Sequence, residues 1–182
     1  MTKSWTGIIG LLVIMGCNSE STTDSTTAAS TTPDTKTPPQ SEFADPKYTD
    51  VGKKSVAALQ AGDVDGFTAN LADNAVFLWS SGDSLVGKQA ITDYWKNRRG
   101  NVIDSMTIMN DIWLPVKVNT PQKGPDLPGV WLLSWYQSRV KYKNGKTLVI
   151  GIHNVQHFDA NDKVDRIVQY LDRAPIIAAG VK

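Results

Sequence analysis

Between residues 48 and 61 the apolar side chains recur at helical spacing, with Tyr48, Val51, Val56 and Leu59 on one face and Gly62 ending the run. Asp63 is placed to cap a second helix over 64–71, whose inner face is Val64, Phe67 and Leu71. Residues 75–79 (AVFLW) form a short apolar run suited to a strand, and Gly82-Asp83 reads as a turn. Residues 88–99 return to helical spacing, with Ile91, Tyr94 and Trp95 on one side. Past Gly100 the period changes to two. Segments 102–118, 130–142, 147–158 and 164–171 are rich in β-branched and aromatic residues and read as strands. Asn144-Gly145 marks a hairpin between the second and third of them, and Asn161-Asp162 marks the turn before the last. The loop 121–129, rich in Pro and Gly, separates the first two. Helices followed by antiparallel strands predict an α+β domain whose curved sheet wraps around three N-terminal helices.

The chain before residue 43 has a different character. Lys3 precedes an uncharged stretch whose apolar centre, 7–16 (GIIGLLVIMG), is shorter than the roughly 20 residues of a membrane-spanning helix. That is the pattern of a secretory leader. Its end, Ile14-Met15-Gly16-Cys17, resembles the lipobox of bacterial lipoproteins, in which the cysteine is lipidated and becomes the new N-terminus. The resemblance implies a leader over 1–17 and membrane attachment through palmitate-type chains on Cys17, of which more than one is needed for stable anchoring. Asn18 is not the aspartate that marks inner-membrane retention in such proteins. This points to the outer membrane, with the side left open. Cys17 is the single cysteine, so lipidation leaves no thiol for a disulfide, a metal or a nucleophile.

Residues 18–42 are expected to be a disordered spacer. Thirteen of the 24 residues in 18–41 are Ser or Thr and three are Pro, a composition that cannot offset the entropy of ordering. The domain, 43–182, holds 17 of the 19 Lys and Arg and 14 of the 18 Asp and Glu, a formal charge of +3 with no basic stripe. That balance argues against nucleic acid as a partner. Arg98-Arg99 falls at an expected helix end, where cations favour the dipole.

Within the domain, AALQAGDVDGF at 57–67, followed by Leu71-Ala72-Asp73-Asn74-Ala75-Val76, is similar to the opening of the steroid Δ-isomerases. Gly87-Lys88-Gln89-Ala90-Ile91 with Tyr94-Trp95 resembles the third helix of that superfamily, and Lys163-Val164 with Tyr170-Leu171-Asp172 resembles its terminal strand. The likeness covers 43–174 and extends to the SnoaL-like polyketide cyclases and the wider nuclear-transport-factor-2-like group. It implies a cone, with helices in the concave side of a bent antiparallel sheet and a pocket between them.

Carried over residue by residue, the resemblance implies an altered site. Trp79 stands at the isomerase's base position, Ser55 at its oxyanion-hole tyrosine and His153 at its neutral acid. An indole takes no proton from carbon, so steroid-type isomerisation with this base is excluded. The same alignment turns the face bearing Val149, Gly151, His153, Val155 and His157 inward, beside Tyr136, Ser138 and Val140. Trp79 and Trp95 close the pocket, and Gln169 takes the place of an acidic residue of some cyclase and epoxide-hydrolase relatives. The expected pocket is therefore Ser55, Trp79, Trp95, Tyr136, Ser138, His153, Val155, His157 and Gln169. Trp131 and Trp135 are expected to face outward, where this superfamily often dimerises through its sheet.

His153 and His157 lie about 13 Å apart on a strand at ~3.3 Å per residue, too far to share one ion with ligands near ~2 Å. No Glu follows Glu42, and neither a metal nor a cofactor is expected. His153 suits proton transfer at neutral pH, but no acid is placed beside it, which favours a hydrogen bond to a ligand over catalysis. Three functions stay open. The preferred one is a module binding a small apolar or aromatic molecule. The others are a cofactor-independent lyase, isomerase or cyclase using His153, and an interaction domain working through its sheet face.

Overall fold

The computed structural model describes residues 37–121 and 127–181. The expected leader, Cys17 and the spacer up to residue 36 lie outside the described residues. In chain order the elements are strand β1 (Ser41–Phe43), helices α1 (Lys47–Ala61) and α2 (Val64–Thr68), strands β2 (Leu71–Trp79) and β3 (Ser84–Val86), and helix α3 (Lys88–Asn97). A π turn (Arg98–Val102) leads into strands β4 (Ile103–Val118), β5 (Gly129–Tyr142), β6 (Thr147–Phe158) and β7 (Val164–Leu171), and a short helix α4 (Ala174–Ala178) follows.

The helices start and stop where the backbone finds partners. The Lys47 amide donates to the Asp45 carboxylate at 2.8 Å, and Gly62, at φ 87°, turns its N–H back to the carbonyls of Ala58 and Leu59. Asp63 caps α2 through the Gly66 amide at 2.8 Å. Helix α2 is shorter than its apolar spacing predicts: Leu71, expected on its inner face, opens β2 and is buried there. Ser41 and Glu42, expected in the spacer, pair with Val118 and Lys117 of β4.

The seven strands lie in the order β1-β4-β5-β6-β7-β2-β3. Successive hairpins carry the chain from β4 to β7 and bring β7 beside β2 in the same direction. The sheet is thus mixed, with one parallel contact where a wholly antiparallel sheet was expected. Bulges in β4 after Ile103 and after Met109, the second with Asn110 at φ 55°, add the local twist that bends the sheet over the helices. Phe77, Ile91 and Leu132 anchor the core between sheet and helices, each contributing about 1.5–3 kcal/mol by burial. Helix α1 approaches the sheet closely because Gly52 faces the Leu132 and Trp113 side chains, where a Cβ would not fit.

The β5–β6 hairpin decides which residues face the cone. The Tyr142 amide donates to the Lys146 carbonyl (2.8 Å) and the Gly145 amide to the Tyr142 carbonyl (2.9 Å), enclosing Lys143, Asn144 and Gly145 with Gly145 at φ 86°. This loop holds three residues rather than the two that an Asn-Gly turn most simply gives. Tyr136 therefore pairs with Ile152, and Trp135 with His153.

Candidate functional site

Between the concave side of the sheet, α3 and the C-terminal segment lies a cavity of about 340 Å³. The sheet supplies Ser138, Val140 and Tyr142 from β5, Ile150 and Ile152 from β6, and Gln169 and Leu171 from β7. Trp79 ends β2 and reaches the cavity beside Tyr94 and Trp95 of α3. These aromatic rings pack in sequence: Trp79 lies 5.2 Å from Tyr94, and Tyr94 meets Trp95 edge-on at 5.5 Å. Ile176, Ile177 and Val181 of the C-terminal segment also line it.

Polar groups enter this apolar wall at defined points. Gln169 is buried and accepts a hydrogen bond from the Trp79 indole N–H at 3.2 Å. The nearby Tyr136 hydroxyl is buried, and burial pushes its ionisation far up, with Gln169 acting the other way. Tyr136 itself stacks on Trp113 at 6.2 Å. The Trp95 indole N–H and the Ser138 hydroxyl are buried and have no hydrogen-bond partner among the described residues. Among the described residues the charged side chains of the lining are Arg98, Arg173 and Asp83. Arg173 donates to Asp83 at 2.8 Å and to Ser81 at 3.0 Å. The Ser81 hydroxyl and then Arg173 hold the Asp83 carboxyl below its ordinary range.

Of the expected pocket residues, Trp79, Trp95, Ser138 and Gln169 line this cavity, whereas Tyr136 is buried but is not among its lining residues. Ser55 does not line it, because its hydroxyl is spent on the Phe67 carbonyl at 2.9 Å. His153, Val155 and His157 lie on the opposite face of the sheet. The three-residue loop sets the register so that Ile150, Ile152 and Asn154 point inward, and a one-residue shift moves a strand's whole set of side chains. The expected inward direction of these three is therefore corrected. His153 stacks on Trp135 at 4.6 Å and on Tyr170 at 5.7 Å, with its Nδ1 3.0 Å from the Ser134 carbonyl. His157 is buried, with Nδ1 2.6 Å from the Asp165 carboxylate and Nε2 3.0 Å from the Pro128 carbonyl. Asp165 is the extra residue of a bulge between β6 and β7, so strand counting alone does not bring the two together.

Of the two tryptophans expected outside, Trp135 is exposed. Trp131 is half-buried, with its indole N–H donated to the Leu127 carbonyl at 2.9 Å. Among the described residues no three His, Cys, Asp or Glu side chains converge as a metal site. Arg98, Tyr94, Tyr142, Ile150, Ile152 and the C-terminal segment are lining residues that the sequence reading does not place in the pocket. For Ile150 and Ile152 the available signal was the outward parity of Trp135 carried across the hairpin.

No family model matches the chain, and no curated protein matches it. Solved structures do. The chain is similar to a putative polyketide cyclase from Silicibacter sp. TM1040, with a TM-score of 0.59 at 13% identity over 76% of this chain and 98% of that one. It is similar to a putative isomerase from Bacillus subtilis, with a TM-score of 0.55 at 18% identity over 74% and 92%. A third likeness is to an epoxide hydrolase of the LEH-like type from M. tuberculosis, with a TM-score of 0.53 at 14% identity over 73% and 88%. The domain has the nuclear-transport-factor-2-like fold, that of the ketosteroid-isomerase-like and SnoaL-like proteins.

Proposed function

We propose that this chain is an exported lipoprotein, held at the outer membrane through lipidated Cys17, whose domain binds a small apolar or aromatic molecule in the cone cavity. The observation that supports binding is the lining: Trp79, Trp95, Ile150 and Ile152 enclose a volume of about 340 Å³ with Gln169 as a fixed polar point, the make-up of a small-molecule site. An enzyme of the lyase, isomerase or cyclase type, the class several structural neighbours are named for, needs a proton acceptor in that space. Among the described residues the carboxylate of the lining is Asp83, which is engaged by Arg173 and Ser81, and both histidines lie across the sheet. Binding without turnover is the better reading.

Native mass spectrometry of the full chain after exposure to an extract of the host's envelope and medium tests this. A specific small-molecule adduct, lost in Ile152→Trp, is the expected result; a clean mass in every extract overturns it. Anchoring is tested separately by labelling cells with palmitate, where Cys17→Ser should abolish incorporation and leave the protein in the soluble fraction.

One observation favours a second reading, self-association. Ile112, Trp135, Val149 and Tyr170 are large side chains exposed on the outer sheet face, at 39–63% of full accessibility. A second copy of this chain is the occupant this reading assigns to that face, and a monomeric mass by sedimentation at micromolar concentration would overturn it.

A further inference from the structure

We propose that the ligand of the cone cavity bears a neutral carbonyl oxygen, which accepts hydrogen bonds from the Trp95 indole N–H and the Ser138 hydroxyl. This deepens the binding reading above and rests on it. Both side chains line the cavity, and both polar groups are buried with no hydrogen-bond partner among the described residues. Ser138 as a whole is only 1% exposed. A buried donor left unmet is costly, and a ligand that supplies the missing acceptor recovers that cost.

Each of the two donors has a counterpart that the fold does satisfy. Of the two tryptophans beside the cavity, Trp79 donates its N–H to the Gln169 side chain at 3.2 Å. Trp95 instead packs among the rings of Phe67, Phe77 and Tyr94, whose carbon faces offer no lone pair. Of two inward serines on β5, Ser134 donates to the Asn154 carbonyl at 3.0 Å, whereas Ser138 has Ile108 and Ile150 as its cross-strand neighbours. The two unmet donors share a region of the wall. Trp95 packs against the buried cluster of Ile103, Val140, Tyr142 and Ile150, and Val140 and Ile150 flank Ser138 along β5 and across to β6. An indole N–H only donates, so the group that meets it is an acceptor. In so apolar a surrounding a neutral carbonyl is far cheaper to desolvate than a carboxylate. Neither residue stands where the resemblance places an oxyanion-hole group; those positions are Ser55 and His153, both outside the cavity lining.

Calorimetric titration of the full chain with naphthyl methyl ketone and with isopropenylnaphthalene, in which a methylene group replaces the carbonyl oxygen at nearly the same shape, tests the proposal. The readout is the ratio of the two affinities and its change on mutation, in which each ligand's own hydration cancels. Trp95→Phe and Ser138→Ala should each lower the ketone's relative affinity at least threefold, and the double variant at least tenfold. A ratio that the double variant leaves unchanged overturns the carbonyl assignment and leaves the cavity reading intact, since both ligands still bind. Binding of neither ligand by the unmodified chain overturns both. Ser138→Ala should keep the thermal midpoint of the ligand-free chain, because its hydroxyl has no partner to lose; a midpoint lowered by several degrees overturns the role assigned to it. If a variant fails to fold, the carbonyl stretch of the ketone bound to the unmodified chain decides. It should lie below its frequency in hydrocarbon solvent, and an equal frequency overturns the assignment.

Discussion

Trp135 and His153 lie directly opposite each other on β5 and β6, their rings 4.6 Å apart and 13° from parallel. Directly paired residues share one face of a sheet, so the exposure of Trp135 settles the side on which His153 lies. The histidine belongs to an outer aromatic row that continues to Tyr170, and it supports the sheet rather than the cavity. His153→Ala is therefore expected to change ligand affinity by less than twofold while lowering stability by about 0.5–1.5 kcal/mol, the worth of an aromatic pair. Urea denaturation beside a binding titration checks both; a tenfold loss of affinity would place His153 in the site.

Much of the fold can be read from the spacing of apolar residues. The helices over 48–61 and 88–99 and the four long strands follow from it because each buries one continuous face. The inward set of β6 does not, because it depends on whether the turn at Asn144-Gly145 holds two residues or three. With two, Lys143 would pair with Lys146 and His153 would meet Tyr136; with three, every side chain of β6 changes face. The bulge that brings Asp165 to His157, the pairing of β1 and the position of Arg98 arise from tertiary contacts that periodicity does not carry.

The buried Gln169 accepts a hydrogen bond from the Trp79 indole N–H at 3.2 Å. Gln169→Leu leaves the Trp79 indole N–H without that partner, at an expected cost of about 1–3 kcal/mol. Equilibrium denaturation measures the loss. Gln169→Glu supplies only acceptors and adds a charge to a buried position, so it should be at least as damaging at neutral pH.

Gly52 sits mid-helix, where alanine would ordinarily improve helix propensity by about 1 kcal/mol. Here an added Cβ meets the Leu132 side chain and comes within 2.7 Å of the Trp113 ring. Gly52→Ala is expected to lower stability, with overpacking costing about 1–3 kcal/mol and outweighing the propensity gain. A raised thermal midpoint would show that α1 does not pack this closely.

Asp162 accepts hydrogen bonds from Lys47 at 2.7 Å and from the Tyr48 hydroxyl at 2.6 Å, joining the β6–β7 turn to the start of α1. Lys47 first and Tyr48 second hold its pKa below the ordinary 3.8. A depressed carboxyl contributes stability that is complete above its unfolded value and lost as the pH falls through the folded one. The unmodified domain should therefore lose part of its stability over Asp162 protonation only below about pH 4, and Asp162→Asn should remove that part of the acid dependence. Thermal midpoints between pH 2 and 7 report the difference, and parallel curves for the two proteins would contradict the assignment.

The central claim is that the ligand site is the inner cavity and that the outer histidine face is not. Ile152 and His153 are neighbours in sequence on opposite faces of β6, which makes one titration decisive. Naphthyl methyl ketone is titrated into the unmodified chain, Ile152→Trp and His153→Ala, with thermal unfolding as the folding control. The account predicts equal binding by the unmodified chain and His153→Ala, and none by Ile152→Trp, whose larger side chain fills the cavity. Binding that survives in a folded Ile152→Trp would contradict it.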